Sequence, residues 1–256
     1  MRQPIVFLTD YGRDDAYAAA LTGAALRADP GALCIEGTHG IPAGDVLAGA
    51  YHLKALARAF AAGAVFCAVV DPGVGTDRRA IAVEAHGIRC VAPDNGLVSY
   101  LWAEAPATGR RAVRLETPAG AAPTFHGRDV FAPVAAALAS STGLDTLGMS
   151  ISDPILLDGA FPLRTASGLA GRVIVVDHFG NAITTIRATD LAGAAVGTVS
   201  WPGGSCRGLV TTYAEIDAGP AALLGSAGHL EVAGGGRPAA SLGGPRLGDT
   251  VAVELS

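Results

Sequence analysis

The chain has 256 residues, half of them hydrophobic but only 5% aromatic; that length suits one large or two modest domains, with a core built from Ala, Val, Leu and Ile. Eighteen Lys and Arg against 23 Asp and Glu leave a net charge of −5, which provides no basic surface for nucleic acid, and no apolar run approaches the roughly 20 residues of a membrane helix. Cys34, Cys67, Cys90 and Cys206 lie far apart without a C-x-x-C pair, so zinc-site spacing is absent and buried, reduced thiols are expected.

The start, MRQPIVFLTD, runs from a short strand (Pro4–Thr9) into a polar loop (Asp10–Asp15). It lacks the longer apolar region and cleavage site of a signal peptide, so a cytoplasmic protein is expected. An Ala/Leu-rich run from Asp15 to Ala28 predicts a helix with acids at its start, stopped at Asp29–Pro30–Gly31. ALCIE (Ala32–Glu36) is the second strand, Asp45–Ala62 the second helix and AVFCAVV (Ala64–Val70) the third strand. This alternation predicts an α/β domain with a central, largely parallel sheet.

The stretch VVDPGVGTDRRAIAV (Val69–Val83) then reads as strand, glycine-bent loop, strand. It puts Asp71 at a strand's carboxyl end, where open α/β sheets hold ligands, and Arg78 just ahead of the next strand. Such a pair can orient and polarise a small molecule or simply bridge a loop. A hairpin follows, turning at His86–Gly87 and returning as IRCVA (Ile88–Ala92) into PDNGLV (Pro93–Val98), which carries Asn95. RAVRL (Arg111–Leu115) alternates like a half-exposed strand. In PTFHGRDVFAPVAAALA (Pro123–Ala139) a loop enters an apolar helix through His126 and Gly127. The imidazole titrates near neutrality, and glycine permits close backbone approach.

Beyond about Leu156 the Ala-rich runs fade. Short β-prone pieces take over at Arg172, Ile183, Gly208 (GLVTTY), Leu230 and Thr250. They predict a smaller all-β, barrel-like domain over residues 163–256, after an α/β domain over 1–162. In VDHFGNAIT (Val176–Thr184), Gly180 and Asn181 suit a hairpin turn, His178 reads as structural, and Asp177 and Asn181 have the hydrogen-bonding capacity to read an ammonium and a carboxylate. The loop TDYGRDDA (Thr9–Ala16) offers Asp10 to a ribose diol or a hard cation, while Asp14 and Asp15 read as helix-start charges. It also resembles the calcium loop of nucleoside hydrolases, but that pattern's first acid falls on Leu8, which cannot ligate a metal.

Five stretches taken together resemble the S-adenosyl-L-methionine hydroxide adenosyltransferases, relatives of the fluorinases and chlorinases. They are LTDYG from Leu8, VDPGVGTDRR from Val70, APDNGL from Ala92, TFHGRDVFAP from Thr124 and DHFGN from Asp177. The resemblance implies an N-terminal α/β domain, a C-terminal β-barrel, and a homotrimer with sites between subunits. The implied reaction is hydrolysis of S-adenosyl-L-methionine to adenosine and L-methionine, with no cofactor or metal. The implied water-activating set is Asp71, Arg78 and His126, and the ribose acid Asp10. The implied methionine contacts are Asp177, Asn181 and Ser226, and Gly127 and Asn95 complete the expected substrate-binding set. The halogenases lack an acid at position 71 and a histidine at position 126, so the resemblance is to the hydroxide branch. One departure is GSAGHLEVA (Gly225–Ala233) where the family shows N-S-x-G-x-L-E-I-A. A metal-dependent nucleoside hydrolase and a non-catalytic S-adenosylmethionine- or adenosine-binding module are the alternatives.

Overall fold

The computed structural model describes residues 2–60 and 63–255, and the chain divides into two compact units between Leu157 and Asp158. The first contains β1 (Ile5–Thr9), α1 (Tyr17–Ala28), β2 (Cys34–Thr38), α2 (Val46–Phe60), β3 (Val65–Val69), β4 (Ala80–Ala85) and β5 (Ile88–Pro93). It continues with α3 (Ser99–Glu104), β6 (Arg110–Leu115), α4 (Ala132–Ala139) and β7 (Gly148–Ile151). One seven-stranded sheet runs β2-β1-β3-β5-β4-β6-β7. The first four strands in that order are parallel; β4, β6 and β7 extend it by antiparallel pairing, which returns β6 to the direction of the parallel block.

Both faces of the parallel block are covered, which is why β1 and β3 are wholly buried and apolar at every position but Thr9. Ile5, Phe7, Val65, Cys67 and Val69 share a core with Leu21 and Ala25 of α1 and with Ala135 and Leu138 of α4. The alternate residues face α2: a side chain on Gly49 would meet Val70 and Leu97 at 3.0 and 2.7 Å. The β4–β5 hairpin turns on His86 and Gly87, both at positive φ (52° and 74°), the pairing that a two-residue turn needs to match the strand twist.

Helix α1 begins at Tyr17 and has no acid in its first turn, so Asp14 and Asp15 belong to the preceding loop rather than to the helix start expected for them. Of the expected second helix, Ala61 and Ala62 lie outside the described residues.

The second unit contains β8 (Leu163–Thr165), β9 (Gly168–Val176), β10 (Ala182–Arg187), the single turn α5 (Ala188–Leu191), β11 (Val196–Trp201), β12 (Gly204–Arg207), β13 (Ala221–Leu224), β14 (His229–Ala233) and β15 (Thr250–Leu255). Seven of these strands follow the order β12-β11-β15-β9-β10-β14-β13, with β8 beside β9, and every pairing is antiparallel. The two ends of the path approach each other, where the Val210 N–H bonds the Ala222 carbonyl at 2.9 Å, giving a nearly closed barrel around Leu169, Val173, Ile186, Val199, Leu230 and Val251. The strand expected at Gly208–Tyr213 is instead a loop leading into a short 3-10 turn at Tyr213–Glu215; Glu215 accepts from the Thr211 N–H and the Thr212 hydroxyl, a local arrangement that competes with the ladder. Among the described residues no helix is long and apolar enough to cross a membrane.

Candidate active site

Strands β1 and β3 are neighbours in register, Thr9 beside Val69. Asp10 follows one residue after the first of these positions and Asp71 two residues after the second, so the two carboxylates leave the sheet side by side at its carboxyl edge. The loop from Asp71 returns to β4 through Gly75, at φ 80°, where an added Cβ would lie 2.7 Å from the Pro123 carbonyl oxygen. Thr76 closes the turn, donating to the Gly73 carbonyl at 2.7 Å and accepting from the Arg78 N–H at 3.3 Å.

The result is a triangle. Arg78 donates to Asp71 through two nitrogens, Nε to Oδ1 at 3.0 Å and Nη2 to Oδ2 at 2.5 Å. Nη2 also meets His126 Nδ1 at 2.9 Å. The guanidinium lies 5.3 Å from the Phe131 ring centroid, and the side chains of Arg78 and Asp71 are 10% and 5% exposed. A guanidinium has only hydrogens to offer, so His126 Nδ1 is the acceptor and the neutral ring carries its proton on Nε2. Burial lowers the His126 pKa below 6.5, and Arg78 lowers it further, against a smaller opposing pull from Asp71 and Asp129. The imidazole is therefore neutral at pH 7.

His126 stands at the mouth of a wide π-type turn, Gly127–Phe131, that continues into α4. Asp10, Tyr11, Tyr17, Val69, Asp71, Val74 and the run Thr124–Gly127 enclose a pocket of about 220 Å³. Its aromatic wall is Tyr11, Tyr17 and Phe125, with ring centroids 5.5–6.1 Å apart. Asp10 accepts the Gly44 N–H on Oδ2 at 2.8 Å, which leaves its other oxygen for a ligand.

Two further arginines beside these loops are held by neighbouring carboxylates. Arg79 joins buried Asp94 (2.6 Å) and Asp153 (3.0 Å). Arg128 forks onto Asp129 at 2.7 and 2.8 Å, holding that carboxyl at about 2. Asn95 turns both ends of its amide inward, donating to the Val70 carbonyl at 2.8 Å and accepting from the Leu97 N–H at 3.2 Å. Its contribution is thus to pin the strand end that carries Asp71. Among the described residues no three His, Cys, Asp or Glu side chains gather as a metal ion requires.

A second cluster lies in the barrel, at the β9–β10 turn. Asp177 Oδ1 accepts the N–H groups of Phe179 and Asn181 at 2.9 and 2.8 Å, and Oδ2 accepts Asn181 Nδ2 at 2.9 Å. His178 is exposed. Glu231, 5% exposed on β14, accepts the Tyr213 hydroxyl at 2.8 Å. Burial raises the Glu231 pKa, the Tyr213 hydrogen bond lowers it, and the nearby Asp177 charge raises it again. Ser226 is exposed on the β13–β14 turn. Glu231 falls on the glutamate of the N-S-x-G-x-L-E-I-A pattern but carries no assigned role there, and Tyr213 reads as a strand residue of GLVTTY until folding brings both to Asp177.

Comparison with known proteins gives a consistent picture. Residues 5–148 match the profile of the SAM hydroxide adenosyltransferase N-terminal domain, and residues 171–252 match that of its C-terminal domain. An (R)-S-adenosyl-L-methionine hydrolase from Thermus thermophilus is 41% identical over 243 residues, covering 90% of this chain and 91% of the relative. A fluorinase from Actinoplanes sp. is 30% identical, covering 97% and 96%. A crystal structure of a conserved protein from Thermotoga maritima superposes with a TM-score of 0.85 at 29% identity, covering 97% and 99%.

Proposed function

Because the chain belongs to the SAM hydroxide adenosyltransferase family, we propose that it hydrolyses S-adenosyl-L-methionine to adenosine and L-methionine by in-line attack of water on the ribose C5′. The observation that carries this reading is the buried Asp71–Arg78–His126 triangle at the carboxyl edge of the sheet. A self-neutralised ion pair with a neutral imidazole suits a small uncharged nucleophile. Water is a poor one, with a pKa near 15.7, so the pocket must take a proton from it as the bond forms.

His126 does not take that proton, because Arg78 occupies Nδ1 and Nε2 already bears hydrogen; it donates to the water's oxygen and orients it. Asp71 is the acceptor. Two of its roughly four lone-pair sites hold Arg78 and the others remain open. Arg78 stabilises the oxygen's growing negative charge. The C5′–O bond forms as C5′–S breaks, the electron pair neutralises the sulfonium, and the proton leaves through Asp71. A pocket of about 220 Å³ is smaller than the roughly 300–1,000 Å³ of a whole ligand site, so it takes the ribose end. Asp10 holds the diol there, and Gly127 lies in the wall of the same pocket. Asp177, Asn181 and Ser226 serve the methionine moiety in this reading. The active form is a homotrimer, which light scattering would weigh at three times 25.5 kDa.

Incubation of purified protein with S-adenosyl-L-methionine, with and without EDTA, followed by chromatography, tests the proposal. Equimolar adenosine and methionine in both samples are expected. A free base, or release that EDTA abolishes, would overturn it in favour of a metal-dependent nucleoside hydrolase, and bound but unconverted substrate would leave a binding module.

A further inference from the structure

Tyr11 takes no part in the chemistry described so far, yet its phenol stands in the wall of the same pocket as Asp71 and His126. Its ring is fixed edge-on against Phe125 at 5.7 Å, and its backbone N–H against Thr9 Oγ1 at 3.1 Å. Burial pushes the phenol pKa far up, with further increments from Cys67, Asp10 and Asp71 and a smaller opposing pull from Arg78. It is therefore neutral at any working pH. It also feels both members of the Asp71–Arg78 pair. Tyr11 is partly buried and lines the pocket, and among the described residues its hydroxyl has no hydrogen-bond partner in the protein, so it is available to a ligand.

Gly127 shows that the hydroxyl's position is specified. A Cβ at 127 would stand 2.1 Å from Tyr11 Oη and 3.2 Å from its Cζ. The backbone at 127 is helical, so nothing in its own conformation calls for glycine, and glycine weakens a helix relative to alanine. The residue is small there because the phenol oxygen fills the space a methyl group would take.

We propose that Tyr11 is a further residue of the water site, whose phenol oxygen accepts the hydrogen that the attacking water keeps. This rests on the hydrolytic reading above. A water that gives one hydrogen to Asp71, gives the other to Tyr11 and accepts from His126 Nε2 has a single lone pair left, and that pair points at C5′. The proton on Asp71 departs, and the hydrogen on Tyr11 stays with the oxygen to become that of the 5′-hydroxyl of adenosine. Its high pKa keeps the phenol from competing as a base, so its work is orientation.

The test uses Tyr11→Phe, which keeps the ring. With the wild-type protein hydrolysing S-adenosyl-L-methionine, the variant should lose roughly 5- to 100-fold in kcat, the range of one hydrogen bond in a buried site, with KM within about threefold. Wild-type protein should bind adenosine more tightly than 5′-deoxyadenosine, and the variant should lose most of that preference, a readout independent of turnover. Gly127→Ala should lose kcat by displacing the hydroxyl, and the double variant should be no worse than Tyr11→Phe. A Tyr11→Phe kcat within twofold of wild type, a change in KM alone, an unchanged preference for the 5′-hydroxyl, or a fully active Gly127→Ala would each overturn the assignment. Failure of the wild-type protein to turn over would instead overturn the hydrolytic reading itself.

Discussion

Asp71 and Asp177 each follow a strand and each anchor a glycine-containing turn, yet their surroundings are opposite. Asp71 has both oxygens on one guanidinium, which in turn holds an imidazole. Asp177 is held by two backbone N–H groups and an amide, has a second acid, Glu231, close by, and among the described residues forms no ion pair. The first arrangement cancels its own charge and suits water. The second brings two acids close together, as recognition of a substrate's ammonium requires. In the proposed reading, turnover therefore belongs to the triangle and affinity to the barrel turn.

The largest expected effect strikes the triangle. Asp71→Asn should lower kcat by about 10²–10⁴-fold, the usual worth of a general base, while ligand affinity stays within about tenfold, as single-turnover kinetics and calorimetry would show. Asp71→Ala adds a structural cost of about 3–5 kcal/mol, read by urea unfolding, because it leaves Arg78 buried without its partner. An equal loss of binding in the asparagine variant would break the division of labour.

Asp177→Asn should do the reverse, raising KM by about 10- to 100-fold, the worth of a charged hydrogen bond, with kcat nearly unchanged. A third effect is on pH dependence. Because burial and then Arg78 keep the His126 pKa below 6.5, the neutral form persists as pH falls through 6.5, and kcat should stay level there. An unshifted imidazole would instead halve the rate at about pH 6.5.

The smallest effect is on stability at the barrel turn. With the Glu231 pKa raised in the folded state, its favourable contribution is complete below the unfolded carboxyl pKa and is lost as pH rises through the folded one. Glu231→Gln should therefore raise Tm by about 2–5 °C at pH 8 and converge on wild type near pH 4.

What the sequence made legible was whatever local chemistry decides. Continuous apolar runs marked β1 and β3, and His86–Gly87 marked the hairpin. The strand-end positions of Asp10 and Asp71 placed them at the sheet edge, because in a parallel pair the carboxyl ends must emerge together. Harder to see were short pieces held by context: α3 has six residues, too few for periodicity, and GLVTTY has a strand's composition but is folded by Glu215 into a loop. Within the site, Asn95 has the look of a ligand contact and spends its amide on backbone, while Tyr11 stands in the LTDYG stretch with no role of its own until Gly127 shows where its hydroxyl sits. Both outcomes depend on neighbours distant in the chain, which no local pattern encodes.

The central claim is that water held by Asp71, Arg78 and His126 attacks C5′. Turnover of S-adenosyl-L-methionine in ¹⁸O-water, with mass spectrometry of the adenosine, tests it directly. One ¹⁸O at the 5′ position of every product molecule is the predicted result, and adenosine formed without the label would contradict it.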